Sequence, residues 1–152
     1  MPEVHDFIEI DINAGIIARS KINFAQNPKL QFLSADASVW LRENAKSGSI
    51  LLTYGGVMAY FSAETLAKMF RQLAKHHPAA VALVEPVDPD HDLLHDPASH
   101  AFGQENSFSH NHESLLLGEG YKTVFRKELR IGGVSWVMLL ATTGWLLLCN
   151  EP

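Results

Sequence analysis

Two apolar runs with a capped amphipathic segment between them constrain this chain more than any other feature. Ser49–Tyr54 (SILLTY) and Ala79–Glu85 (AAVALVE) are apolar on both faces, as strands are when a parallel sheet is covered on both sides. Between them Ser62 stands where a helix N-cap belongs. Leu66, Met69, Phe70 and Leu73 then recur at i, i+3, i+4 and i+7, with Lys68, Arg71, Gln72 and Lys75 opposite. Such a stripe is core rather than a groove for a partner. His76-His77-Pro78 ends the helix, and Pro86 is expected to close the second strand.

The same alternation of strand and helix extends towards the N-terminus. Val4–Ile10 reads as a strand with Phe7, Ile8 and Ile10 buried, and Asn13 caps a helix running to about Gln26. Ala14, Ala18, Ile22 and Ala25 share one face of that helix. Leu30–Ala35 is a second strand, and a short helix covers Ser38–Ala45. Residues 87–110 read as one long irregular loop, and loops of that length are functional or mobile. Asn111–Leu117 is a short helix. Tyr121–Ile131 alternates like a half-exposed strand, with Tyr121, Thr123, Phe125, Leu129 and Ile131 inward. Gly132-Gly133 turns it back into Val134–Ala141, and a last apolar piece spans Trp145–Cys149. Alternating strands and helices predict an α/β fold: a three-layer, Rossmann-like sheet, mostly parallel, with a C-terminal antiparallel hairpin.

Length sets one domain over residues 1–152, since domains average roughly 100–200 residues. With 17 acidic against 12 basic side chains the net charge is −5, which argues against nucleic acid as partner and for a small-molecule substrate. The lone Cys149 excludes a disulfide scaffold and reads as a small buried apolar residue. Met1–Asp11 has no signal-peptide character, and Val134–Leu148 is too interrupted by Ser135, Thr142, Thr143 and Gly144 to span a bilayer. The chain is expected in the cytoplasm, away from membranes. Trp136, Trp145 and Leu146–Leu148 are either hairpin core or the patch of a homodimer.

Ligands of open α/β sheets bind beyond the C-terminal ends of the strands. Three such ends carry informative residues: Asp11, Asp36 and Tyr54-Gly55-Gly56. Each aspartate could instead cap the helix that follows it. Gly55-Gly56 is either a tight turn or a place where a ligand passes close to backbone.

FIEIDIN, then LQFLSADASVWL about 25 residues on, resembles the class I S-adenosylmethionine-dependent methyltransferases. SILLTYGGVMAYFS, AVALVEPV and YKTVFRKELRI-GG-VSWVMLLAT continue the resemblance over nearly the whole chain. The resemblance implies S-adenosyl-L-methionine as cofactor. It places Asp11, with Glu9 a weaker choice, and its neighbour Ile12 at the ribose hydroxyls. It places Asp36 and Ala37 beside the adenine, and Tyr54, Gly55 and Gly56 along the methionine part and the substrate. The family's first strand and its glycine-rich E/D-x-G-x-G loop have no counterpart in Met1–Glu3. The sheet is therefore expected to lack that strand and to expose an edge. Truncation, a swapped dimer or a shortened relative that no longer methylates would each explain it.

Five of the eight histidines, His91, His95, His100, His110 and His112, fall in or beside the 87–112 loop. In the methyltransferase reading His91, His95 or His110 is a general base acting on the acceptor. His91 and His95 at i, i+4 are also the candidate metal ligands, although Asp88-Pro89 and Asp96-Pro97 leave little room for a helix. Two alternatives follow: a non-catalytic or partner-dependent methyltransferase-like domain, and a small metal-dependent hydrolase using the His/Asp loop.

Overall fold

In the computed structural model, which describes residues 4–103 and 106–144, the chain divides into two compact units, Met1–Asn44 and Ala45–Pro152. The Trp145–Cys149 segment lies outside the described residues.

The first unit is two strands and two helices. β1 (Phe7–Asp11) pairs in parallel with β2 (Leu30–Ser34), Phe7 opposite Leu30 and Asp11 opposite Ser34. α1 (Ala14–Asn23) connects them, and α2 (Ala37–Asn44) follows β2. Asn13 caps α1 through its side-chain oxygen, which accepts from the Gly15 and Ile16 N–H groups. α1 ends three residues short of Gln26, where Phe24 leaves helical geometry and stacks on Phe32 with ring centroids 6.0 Å apart. The expected Ala14/Ala18/Ile22/Ala25 face is exposed, and Ile17 is the buried residue of this helix instead. Small alanines gain little from burial, so the one large side chain directed inward sets the rotation of the helix. Phe7 is likewise half exposed rather than buried.

The second unit carries a four-stranded sheet in the order β3-β4-β8-β7, from β3 (Ile50–Tyr54), β4 (Ala79–Val87), β7 (Lys122–Ile131) and β8 (Val134–Thr143). β3 and β4 run parallel across α3 (Ala63–Ala74), and β8 is antiparallel to both β4 and β7. Ser62 caps α3 by accepting from the Thr65 N–H, and Leu66, Met69, Phe70 and Leu73 are all buried, as their spacing predicts. Val81, Leu83, Glu85 and Val87 of β4, with Val137, Leu139 and Ala141 of β8, form the dry face of the sheet. The opposite face is open: Leu52 and Tyr54 are exposed, and Trp136, Met138 and Leu140 are half buried.

β4 does not stop before Pro86. Even-numbered residues of β4 address β3, since Ala80 N donates to Ser49 O and Val84 O accepts from Gly55 N. By Pro86 β3 has ended, so the missing N–H falls on an unpaired side and the strand continues to Val87. The 87–110 segment also contains an antiparallel hairpin, β5 (His100–Phe102) with β6 (Ser107–Ser109), turning through Gly103 (φ 82°) and Asn106 (φ 53°). Three-residue strands are too short to announce themselves by alternation. In β7 a bulge between Thr123 and Phe125 disturbs the pairing with β8, leaving Thr123 and Phe125 exposed. α4 (His112–Gly118) precedes β7 and is capped by Asn111. Among the described residues no helix is long and apolar enough to cross a membrane.

Candidate functional site

Parallel pairing of β1 with β2 brings two carboxylates to neighbouring strand ends in the first unit. Asp11 closes β1, and Asp36 stands two residues beyond Ser34, its pairing partner. The Ala35 N–H donates to the Asp11 carbonyl at 3.1 Å, so the two chains leave the sheet together. Each aspartate uses Oδ1 to order its own loop. Asp11 Oδ1 accepts from Asn13 N at 2.7 Å. Asp36 Oδ1 accepts from Ser38 N at 2.8 Å, Ser38 Oγ at 2.6 Å and Val39 N at 3.1 Å. The Ser38 hydroxyl, and then the Val39 N–H, hold the Asp36 carboxyl below the usual range, so it is ionised at neutral pH. Asp36 is thus the cap of α2 through Oδ1, and Oδ2 takes no part in that cap. Ile12 is 78% exposed beside Asp11, and Ala37 opens α2. Glu9 is turned away from the strand end, where it accepts from Ser20 of α1 at 2.9 Å.

In the second unit the ends of β3 and β4 are shaped by a carboxyl that sequence reasoning passed over. Glu85 is fully buried, and its Oε2 accepts from Met58 N at 3.1 Å, across the Gly55-Gly56 turn. Its Oε1 and the Thr53 hydroxyl are buried without a partner among the described residues. Burial, the largest cause, pushes the Glu85 carboxyl up to about 7 against the opposing pull of the Met58 N–H. Its sequence signal was a lone acid ending an apolar strand just before proline.

Gly55 (φ 86°) and Gly56 (φ 100°) both adopt backbone that other residues resist, and a Cβ on Gly56 would lie 3.4 Å from Pro86 Cγ. Gly56→Ala should cost about 1–2 kcal/mol, read as a lower urea midpoint at unchanged slope. Tyr54 is 74% exposed and stacks on Trp136, with centroids 6.4 Å apart. With Val84, Leu129, Ile131 and Val134 the pair lines an apolar hollow of about 190 Å³ on the open face of the sheet.

The histidines separate into three kinds. His95 is exposed and bonds Asp92 Oδ2 at 2.9 Å. His110 is fully buried with both nitrogens engaged, Nδ1 with Ser99 Oγ at 2.7 Å and Nε2 with the Phe61 carbonyl at 3.1 Å. Burial, the largest cause, lowers its pKa, so the ring ties the loop to the β3–α3 connection as a neutral group. His112 is buried too, its Nδ1 unpartnered among the described residues, and burial pulls its pKa to about 3. His91 is not on a helix and does not meet His95. The turn carries it instead to Asp96 and His100.

The chain matches no family model, and no curated relative was found from its sequence. Its structure superposes on solved methyltransferases. Magnesium protoporphyrin IX methyltransferase from Synechocystis with bound SAM matches over 90% of this chain and 58% of its own, at 12% identity and a TM-score of 0.59. N-methyltransferase NodS from Bradyrhizobium japonicum matches over 91% of this chain and 73% of its own, at 11% identity and a TM-score of 0.63. An S-adenosylmethionine-dependent methyltransferase from Clostridium acetobutylicum matches over 91% and 75%, at 9% identity and a TM-score of 0.62. This chain thus spans under two thirds of the Synechocystis enzyme's length. At these identities the likeness establishes an α/β, Rossmann-like fold shared with S-adenosylmethionine-dependent methyltransferases.

Proposed function

We propose that the chain, working as one domain, is an S-adenosylmethionine-dependent methyltransferase acting on a small-molecule acceptor. The observation that carries this reading is the placement of Asp11 and Asp36 at adjacent C-terminal ends of two parallel strands, in a fold shared with enzymes of that activity. The donor chemistry fits. Ribose hydroxyls and an adenine amine both donate, and a carboxylate accepts through either oxygen. With Oδ1 of each aspartate spent on its own loop, Oδ2 is the acceptor assigned to the nucleoside. Ile12 and Ala37 supply apolar surface and backbone beside it.

The cofactor, when bound, supplies an electrophilic methyl group on a sulfonium. The protein's part is chiefly to orient the acceptor, which accounts for most of the acceleration in such a displacement. Tyr54, Gly55 and Gly56, at the C-terminal end of β3, are assigned to the methionine part of the cofactor and the acceptor, and the 87–112 loop after β4 to selection of the acceptor. The overall charge of −5 suits a small molecule rather than nucleic acid. The fold likeness favours neither the non-catalytic nor the hydrolase alternative.

Calorimetric titration of the full chain with S-adenosylhomocysteine tests the reading. Micromolar binding, about −8 kcal/mol, is anticipated; absence of binding overturns the cofactor assignment. Asp11→Ala should weaken that binding at least about tenfold, or about 1.4 kcal/mol. Asp36→Asn is the sharper variant, because asparagine still caps α2 while its second position becomes a donor. It should lower affinity without lowering the melting temperature. Parent-like affinity in both variants removes these two residues from the site.

A further inference from the structure

We propose that His91, Asp96 and His100 form a binding site for a first-row divalent transition-metal ion of the zinc class. One ligand atom from each lies within 4.8 Å of the others. The two imidazole rings approach to 4.5 Å between centroids, tilted by 54°. Two histidines and one carboxylate, with coordination positions left over, are the donor set of open metal sites. Imidazole nitrogen favours zinc and its transition-metal neighbours over magnesium or calcium.

The site is built rather than accidental, because each ligand is held from behind. His91 is buried, and its Nδ1 lies 2.8 Å from Ser109 Oγ, itself fully buried. The Ser109 oxygen also accepts from Asp88 N at 3.0 Å. Its second lone pair can take the Nδ1–H, the tautomer in which the Nε2 lone pair is free for a metal. Metal-bound histidines are oriented in this way by a partner on the opposite nitrogen. His100 pairs with that same Ser109 across the β5–β6 hairpin, and its Nε2 lies 3.2 Å from Asp88 Oδ2. Asp96 is held through its backbone, where buried Asn111 donates to its carbonyl at 2.9 Å, and through its carboxylate, whose Oδ1 accepts from Ala98 N at 2.8 Å and leaves Oδ2 for a metal. His100 is only partly buried, which leaves a path for an ion to enter. In the other tautomer His91 Nε2–H donates to the Asp96 carbonyl at 3.3 Å, a bond that the metal would replace.

The test is titration of the full chain, free of any histidine tag, with zinc chloride by calorimetry. Cobalt is then substituted to read the ligand-field absorption that imidazole and carboxylate ligands produce. A single zinc should bind, with a rise in melting temperature that a chelator reverses. His91→Ala, His100→Asn and Asp96→Asn should each weaken binding at least about tenfold, while His95→Ala leaves it unchanged. If His91→Ala fails to fold, the part-exposed His100→Asn and the cobalt spectrum decide. The proposal is overturned if no zinc binds, if binding survives His100→Asn and Asp96→Asn, or if His95→Ala abolishes it. In the first case the Asp96 carbonyl is simply the hydrogen-bond acceptor of His91. S-adenosylhomocysteine titration of the same variants separates this site from the proposed cofactor site, since Asp11→Ala should leave zinc binding intact.

Discussion

Glu85→Gln should stabilise the protein by about 3 kcal/mol above neutral pH and leave it little changed near pH 4. The cause is a carboxyl buried to 0% exposure with one oxygen accepting from Met58 N and the other unpartnered among the described residues. Burial raises it from 4.5 in the unfolded chain to about 7. Between those values the folded state holds a proton that the unfolded state has released. The stability this group contributes therefore falls as pH rises through that window and is fully lost above it, at about 1.4 kcal/mol for each pH unit. Glutamine keeps an oxygen for the Met58 N–H and offers an N–H to the Thr53 hydroxyl, which is also buried and unpartnered among the described residues. Urea unfolding at pH 5 and pH 8 reads the effect. A variant less stable than the parent at pH 8 would falsify the idea that the carboxyl is a net cost there.

Acid should unfold the protein through His112. Burial, reinforced by the neighbouring His110 and His91, pulls this imidazole from 6.5 to about 3. The unfolded chain then binds a proton that the folded chain refuses. Stability present above pH 6.5 is lost as pH falls towards 3, by about 5 kcal/mol. His112→Leu removes the titrating group, and the Nδ1 it deletes has no partner among the described residues. The rise of unfolding free energy between about pH 3 and 4.5 should vanish in the variant, and between 4.5 and 6.5 its stability should fall with pH, because Glu85 is then unopposed. An unchanged slope would assign acid unfolding to other groups. In the parent, Glu85 and His112 act in opposite directions between 4.5 and 6.5 and cancel there, so their combined optimum lies in that interval.

The helix caps Asn13, Ser62 and Asn111, the buried stripe Leu66/Met69/Phe70/Leu73 and the Gly132-Gly133 turn are all legible in the amino-acid sequence. Each is a local signal, written within one turn of helix or one pair of strands. The placement of Asp11 and Asp36 at strand ends is legible for the same reason: both close short apolar runs. What their second oxygens meet is not, since the cap role and the ligand role share one residue type. The face of α1 is misread from the sequence because alanines carry too little apolar area to set a helix rotation, and Ile17 does so instead.

From sequence alone came the element order, the core stripe of α3 and the alternation that marks an α/β fold. These rest on periods of 2 and 3.6 residues that neighbouring side chains express without help. Only the tertiary structure decided which residues lose water and which meet. Glu85 titrates high because β4 sits between β3 and β8 beneath the 55–58 turn. His91 meets Asp96 and His100, not His95, because Ser109 reaches back across 18 residues to hold its ring. Burial and contacts between distant residues are set by long-range packing, and no local period encodes them.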